Sequence, residues 1–238
     1  LERFGWRING SDEASAFRAI GAGIEETGSL LEGADPIRYI RGPEGYNEVL
    51  HYAVTKVEPE ERSFHRITSS AIDYVREASS GDKPWACMVS FSEPNTPLVC
   101  SKSTFERYDL NTLRMPENGG DGFENAPGFY RRQAGIYSDV SDREWLELRA
   151  CYMSVATELD AELGRVIEAL TETGEIDNTV IIVTGDHGRY LGAHGLDAHN
   201  FGAYDEIYNV PFVAAGPGIA ENSNSPSHVS LVDLFPTI

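Results

Sequence analysis

The chain has 238 residues, enough for one large domain or two small ones, and its 41% hydrophobic and 24% charged residues exclude disordered, collagenous and low-complexity proteins. Its 19 Lys and Arg residues against 38 Asp and Glu give a formal net charge of −19, which would repel a phosphate backbone and argues against nucleic acid as a partner. No run of about 18 uncharged apolar residues occurs, so the sequence predicts no contact with a membrane through a spanning helix.

The first 62 residues are rich in glycine and proline and have weak apolar periodicity. We interpret them as a loop-rich surface segment with one short strand at 49–57. Periodicity becomes clear after this segment, where residues 66–78 have the spacing of an amphipathic helix. The apolar residues on one face of this helix are Ile67, Ala71, Tyr74, Val75 and Ala78.

Three apolar runs of strand length follow along the chain, at 84–91, 179–184 and 210–215. Continuous apolar runs suit strands that are buried on both faces of a parallel sheet. Cys87 lies in the first run, so we expect it to be a core residue rather than a catalytic thiol. Because helices alternate with these strands, the sequence indicates βα units and a parallel sheet.

The strongest helix signal begins at Ser141. Ser141 and Glu144 have the spacing of a capping box, in which each side chain bonds the other residue's backbone amide. Apolar residues then recur every three or four positions over about seven turns, and Gly174 lies where a left-handed C-cap would fall. We expect this helix to bury its apolar face and expose its acidic face. The apolar positions are Trp145, Leu148, Tyr152, Val155, Leu159, Leu163, Val166 and Leu170.

Two polar residues follow the strand that ends at Thr184. Asp186 and His187 lie between Gly185 and Gly188, which allow a sharp turn of the backbone. In open α/β sheets, ligands gather at the carboxyl ends of the strands, and a carboxylate beside an imidazole suits a divalent cation. A helix-capping aspartate beside a hydrogen-bonded histidine would give the same pattern without a metal.

The residues around Asp186 and His187 form one of several short sequence motifs, here called strings, that occur in a recognisable order along the chain. As an ordered set, these strings resemble the sulfatase family of the alkaline phosphatase superfamily, and the resemblance covers about residues 63–238. The strings and residues that carry it are 83–85, 91–97, Tyr152, Asp160, 177–188, 191–196, 204–212, 216–218 and 232–238.

The resemblance implies a single catalytic domain, here 1–238, of the α/β class. It would be an alkaline-phosphatase-like sandwich with a mostly parallel central sheet flanked by helices. The implied activity is metal-dependent hydrolysis of sulfate esters, with a small molecule or a saccharide as the substrate. The metal implied is Ca²⁺, although another divalent cation would also suit the ligands.

Individual residues take roles from the resemblance. Asp186 matches the metal-binding carboxylate and His187 matches the neighbouring ligand, whereas His194 is expected to support a ligand rather than bind the metal. Asn95 and His199 match catalytic positions where sulfatases commonly have His and Lys. Asn95 can donate one hydrogen bond but cannot act as an acid, and His199 is a titratable donor in place of a cation.

The nucleophile of a sulfatase is a formylglycine, made from the Cys or Ser of a C/S-x-P-x-R motif. Cys87, Cys100 and Cys151 lack this context, and they also lack the CxxC spacing of a zinc site. An Asp pair that would complete the metal shell is not found near the start of the sequence either. We therefore expect the formylglycine in a missing upstream segment, and an inactive fragment with weak calcium binding.

Two alternatives stay open at this point. The changes at Asn95 and His199 also fit a phosphoester, phosphodiester or phosphonate hydrolase of the same superfamily. The missing nucleophile fits a non-catalytic remnant that binds a metal or a ligand. The sequence leaves the compartment (cytoplasmic, periplasmic or secreted) and the oligomeric state open.

Overall fold

A computed structural model describes residues 28–41, 48–120, 123–199 and 202–237 of the chain. The predicted loop-rich character of residues 1–27 and 42–47 lies outside this description. The elements used below are β1 (Ile37–Ile40), β2 (Val49–Thr55), α1 (Ser63–Ser79), β3 (Leu98–Ser101), α2 (Lys102–Phe105), α3 (Gly128–Ile136), α4 (Asp142–Glu172), β4 (Ile181–Thr184), α5 (Asp205–Tyr208), β5 (Phe212–Ala215) and α6 (Leu234–Thr237).

A three-stranded sheet with β2 in the middle lies at the centre of the core. β1 pairs with β2 in the antiparallel direction, and β3 pairs with β2 in the parallel direction, with Tyr52 opposite Leu98. The strand predicted at 49–57 is therefore confirmed as β2. Burial of β2 is nearly complete and that of β3 is complete, as expected for strands covered on both faces.

Helix α4 packs on this sheet, and α1 packs against α4. The capping box at the start of α4 is confirmed, since the Ser141 amide donates to Glu144 Oε2 at 2.8 Å and the Glu144 amide donates to Ser141 Oγ at 3.4 Å. Gly174 follows the end of α4 with a φ of +76°, which confirms the predicted left-handed position. The core cluster consists of Tyr52, Val54, Leu98, Cys100, Trp145, Leu148, Cys151 and Val155.

The acidic face of α4 is not fully exposed, which corrects the prediction. Glu147, Glu158 and Glu162 are all buried, and each has a partner. Glu147 accepts a hydrogen bond from Tyr52 Oη at 2.7 Å, and Glu162 lies 2.9 Å from His65 Nδ1. The helical period identifies the apolar stripe, but it cannot show that donors from α1 and β2 reach the other side of the helix.

The strand predicted at 84–91 does not form, and the segment is largely exposed rather than buried. Met88 is 79% exposed, and Cys87 is exposed as well, so its assignment to the core is wrong. A hydrogen bond from Tyr74 Oη to the Ala86 carbonyl, 3.2 Å long, holds the segment against α1. An apolar run becomes a buried strand only where neighbouring strands pair with it, and none of the described strands does.

The strands predicted at 179–184 and 210–215 exist as β4 and β5, and together they form a separate two-stranded sheet. They pair in the antiparallel direction, with Thr184 opposite Phe212, so the parallel pairing predicted for these two strands is wrong. Their predicted burial is wrong, because Val183 is 39% exposed, Phe212 46% and Val213 62%. Helices and small sheets together confirm the α/β class. None of the helices in the described ranges is long and apolar enough to cross a membrane.

Candidate active site

The segment that follows β4, residues 185–199, folds back on itself, and we call it the histidine loop. The Tyr190 amide donates to the Ala198 carbonyl at 3.3 Å, and the Gly192 amide donates to the Leu196 carbonyl at 2.9 Å. Gly192 has a φ of +91°, so the tight turn uses the left-handed region that glycine enters without strain. The return of the chain brings its two ends together and sets His199 beside His187.

His187 and His199 form a stacked pair, which we call the histidine pair. Their ring centroids are 3.8 Å apart and their planes differ by 21°. Gly188, next to His187, lies against the backbone of α5: its amide donates to the Ile207 carbonyl at 2.8 Å, and a Cβ at Gly188 would collide with the Glu206 carbonyl oxygen. Because glycine has no Cβ, Gly188 lets its own backbone lie directly against the backbone of α5.

Asp186 and His187 present two possible metal-binding atoms side by side. His187 Nε2 lies 3.6 Å from Asp186 Oδ2, and the side chain of Asp186 is 86% exposed. His187 Nδ1 lies 3.0 Å from the Gly188 carbonyl oxygen, which can only accept a hydrogen bond. Nδ1 therefore carries the proton of the neutral ring, and the lone pair of Nε2 remains available to a ligand.

The pKa of His199 is below the ordinary histidine value. Burial is the largest cause, the positive charge of Arg189 lowers the pKa further, and so does repulsion from the His187 ring whenever that ring is protonated. At neutral pH the His199 ring is therefore neutral. It offers one donor and one acceptor, whereas a lysine in the same place would offer a permanent charge.

The described residues could supply only part of a calcium site. Among them, no group of three or more His, Cys, Asp or Glu side chains is arranged to hold a metal ion. Calcium takes about six to eight oxygen ligands, and Asp186 with His187 supplies at most a carboxylate and one nitrogen. The carboxylate and the imidazole of this pair are suitable ligands for a divalent cation. The described residues do not supply the remaining ligands that the cation would need.

Asn95 lies in the segment 93–97, which we call the proline loop. The Asn95 side chain is exposed, and its Oδ1 accepts a hydrogen bond from the Thr96 amide at 2.7 Å. Arg189 of the histidine loop donates through Nη1 to the Pro94 carbonyl at 3.4 Å. The residue directly before Asn95 is thus bonded to the loop that carries the histidine pair, so the two loops lie against each other.

A buried ionic network beneath these loops was missed by sequence reasoning. Arg189 Nε donates to Asp197 Oδ1 at 2.8 Å, Arg189 Nη2 donates to Asp197 Oδ2, and His51 Nε2 lies 2.7 Å from the same Oδ2. All three residues are less than a tenth exposed. Burial alone would raise the pKa of Asp197, but the bond from His51 and the charge of Arg189 outweigh it and hold the pKa well below its ordinary value.

A second buried arginine, Arg62, contacts the first residue of the proline loop. Arg62 Nη1 donates to the Val99 carbonyl at 2.8 Å and to Glu158 Oε2 at 3.3 Å. Arg62 Nη2 lies 3.7 Å from Glu93 Oε1, at the first residue of the proline loop. Burial raises the pKa of Glu158, and this outweighs the opposing bond from the Ser101 amide. Two guanidinium groups therefore contact the proline loop, that of Arg62 at Glu93 and that of Arg189 at Pro94.

His194 lies at the tip of the histidine loop in an aromatic environment. Its ring centroid is 4.1 Å from that of Tyr204, and its Nε2 lies 3.1 Å from Asn118 Nδ2 and 3.7 Å from Glu206 Oε1. The residue is 8% exposed and has a φ of +57°. These contacts fix the turn of the loop against α5. A role for His194 in supporting a metal ligand stays a prediction.

The described cysteines give no sign of an activated thiol. Cys100 on β3 and Cys151 on α4 are fully buried in the core, and burial raises the pKa of Cys100 far above its ordinary value. Cys87 is exposed on the irregular segment 84–91. The hydroxyl of Thr184, at the end of β4, donates to the Pro211 carbonyl at 3.0 Å.

The ordered strings of the sequence, and the loop geometry that they produce, agree with a known family. The sulfatase family model matches residues 5–238 of the chain. The chain belongs to the sulfatase family. It is therefore a member of the alkaline phosphatase superfamily, as its strings indicated.

Two curated relatives illustrate the similarity. An uncharacterized sulfatase of Escherichia coli, YidJ, is 31% identical over 174 residues, which cover 73% of this chain and 35% of the relative. Arylsulfatase K of Bos taurus is 37% identical over 186 residues, which cover 72% of this chain and 34% of the relative. The chain thus spans about a third of the length of these relatives.

The structure also resembles solved structures of the superfamily. A phosphonate monoester hydrolase from Silicibacter pomeroyi superposes with a TM-score of 0.61 at 28% sequence identity, over 69% of this chain and 35% of that one. The similarity confirms the predicted alkaline-phosphatase-like fold. Of the three strand pairs in the described residues, the pair of β2 and β3 is the parallel one.

Proposed function

We propose that the intact protein is a metal-dependent hydrolase of sulfate esters and that this chain supplies the carboxyl-terminal part of its catalytic domain. The observation that carries the proposal is the convergence, in a member of the sulfatase family, of Asp186, His187 and His199 after β4. The substrate class is a small-molecule or saccharide sulfate ester.

Asp186 and His187 are the residues proposed to bind the cation, Ca²⁺ or another divalent ion. When bound, the cation would supply Lewis-acid chemistry, stabilising negative charge on the sulfate oxygens. The His187 tautomer described above keeps Nε2 unprotonated, as a ligand must be. The formylglycine nucleophile, and the remaining ligands, would come from residues outside the described ranges.

Asn95 and His199 are proposed to contact the substrate. Because the Thr96 amide occupies Oδ1 of Asn95, the Nδ2 group is the side of the amide that can donate to an ester oxygen. Stacking on His187 holds the His199 side chain in one orientation. Its ring nitrogen can therefore bond the leaving-group oxygen without a further loss of side-chain conformational entropy.

The Asp186→Asn variant of the intact protein tests this proposal. We expect aryl sulfate turnover to fall at least about a hundredfold, because the amide loses the charge that binds the cation. The melting temperature should stay unchanged, since the Asp186 side chain is 86% exposed. Asp177→Asn, an exposed aspartate before β4, is the matched control and should keep full activity. Turnover by Asp186→Asn at the rate of the unchanged protein would refute the assignment.

A phosphonate or phosphoester hydrolase is the second candidate function, and the similarity to a phosphonate monoester hydrolase favours it. Comparing kcat/KM for an aryl sulfate and an aryl phosphonate monoester on one preparation distinguishes the two. Hydrolysis of neither ester, combined with calcium binding in a titration, would instead favour a non-catalytic binding role. The 238-residue chain by itself should turn over neither ester, and turnover by it would direct attention to Ser90, Ser92 and Thr184.

A further inference from the structure

We propose that Arg189 is a positioning residue that holds the proline loop, and with it Asn95, in place relative to the histidine pair. The inference rests on the proposed function, in which Asn95 and His199 contact the substrate. Arg189 belongs to the histidine loop and is 8% exposed, so it acts through the two loops rather than on the substrate.

The three donor nitrogens of Arg189 are divided between the two loops. Nε and Nη2 bond the carboxylate of Asp197, which stands two residues before His199, and Nη1 bonds the carbonyl of Pro94, which stands directly before Asn95. A guanidinium group is rigid and planar, so the two bonds to Asp197 within the histidine loop set the direction in which Nη1 meets the Pro94 carbonyl of the proline loop. Lysine would keep the charge, but its single ammonium group cannot reproduce the fork.

The network is anchored to the core rather than to the surface. His51, which bonds Asp197, lies on the central strand β2 and is 3% exposed. The side chains of Arg189 and Asp197 are 4% and 1% exposed, so water does not compete for their bonds. Apolar residues of similar volume stabilise a core at least as well as a buried ion pair, but they make no directed bond to a carbonyl. Directed bonds are what a positioning role requires.

A double-mutant cycle on the intact protein tests whether Arg189 acts through Asn95. We expect Arg189→Lys and Asn95→Ala each to lower kcat/KM for the ester that the protein cleaves by about tenfold. The double variant should be no more than about threefold worse than Asn95→Ala alone, because the loop that Arg189 positions no longer carries its contact. Equal effects of Arg189→Lys with and without Asn95 would overturn the inference.

Arg165→Lys is the matched control for the cycle. Arg165 also joins two elements, through Glu162 of α4 and Ser69 of α1, but it has no bond to the proline loop among its described contacts. Its replacement should combine additively with Asn95→Ala. Thermal melts of every variant show whether the fold is kept, and Arg189→Gln, which can still bond Asp197, serves as a second variant.

Hydrogen exchange gives a readout that does not depend on activity. The Asn95 amide donates to the Ser92 carbonyl at 3.0 Å, and the Thr96 amide donates to Asn95 Oδ1, so both protons report on the proline loop. Exchange of a peptide covering 92–97 should be several times faster in Arg189→Lys and unchanged in Arg165→Lys. If the protein cleaves no ester, the proposed function fails while this measurement still decides the role of Arg189. Unchanged exchange at 92–97 in Arg189→Lys would refute that role.

Discussion

At the scale of single residues, Asp197 shows how a charge is kept in the interior. Two nitrogens of Arg189 and one of His51 meet its two oxygens, so the desolvation of the carboxylate is offset by three directed bonds. Because the carboxylate only accepts, the bond from His51 uses Nε2–H, and the buried Nδ1 atom has no hydrogen-bond partner among the residues that the structure describes.

The low pKa of Asp197 predicts a pH-dependent stability difference. Its folded pKa lies below the unfolded value of about 3.9, so its contribution is complete above about pH 4 and is lost as the pH falls through the folded value. Asp197→Asn should lower the free energy of unfolding by about 3 kcal/mol at pH 7, and by less below pH 4. Urea titrations at both pH values measure the difference.

Asp139→Asn is the control for that experiment. Asp139 pairs with Arg38 at 3.0 Å, but its side chain is 60% exposed, so its replacement should change the free energy of unfolding by less than about 1 kcal/mol. A loss in Asp197→Asn that is equally small, or independent of pH, would contradict a structural role for the buried pair.

At the scale of elements, α4 joins the sheet to α1 over 31 residues, and its first turn is fixed by side chains. Ser141→Ala removes the acceptor of the Glu144 amide and should lower the free energy of unfolding by about 1 kcal/mol. Ser138→Ala is a suitable comparison, because Ser138 bonds only its own turn, at the Gly135 carbonyl, and should be nearly neutral. Equal effects of the two variants would show that the cap contributes nothing of its own.

The elements that the sequence predicted are those whose signals are local. Ser141 and Glu144 lie within one turn, and Asp186 and His187 are adjacent, so their patterns are readable without knowledge of the fold. His51 and Asp197 are 146 positions apart, and a lone aspartate among apolar residues does not identify its partner. The apolar composition of residues 84–91 likewise predicted a strand, but a strand forms only if another part of the chain pairs with it.

At the scale of the whole molecule, two surface properties oppose each other. The net charge of −19 keeps chains apart in solution. The described surface nevertheless exposes apolar side chains on β4, β5 and the segment 84–91, including Val183, Phe212, Val213 and Met88. Such surface in a family member that spans about a third of its relatives' length is consistent with apolar faces that contact further protein.

The exposure of Cys87 gives a measurable consequence of this arrangement. Cys100 and Cys151 are fully buried, so a maleimide at pH 7 should modify one thiol per folded chain and three in denaturant. Mass spectrometry gives both the number and the position. Cys87→Ser should reduce the folded value to zero. Modification of Cys100 in the folded chain would contradict the burial of the core.

Because Cys87 is the accessible thiol of the folded chain, a label can be attached selectively to the segment 84–91. A fluorophore attached there would change its emission whenever another polypeptide covers the neighbouring Met88, which is now 79% exposed. Titrating the upstream segment that the proposed function requires against the labelled chain would then give a dissociation constant directly. Binding of another polypeptide to this surface thereby becomes a measurement that needs no substrate.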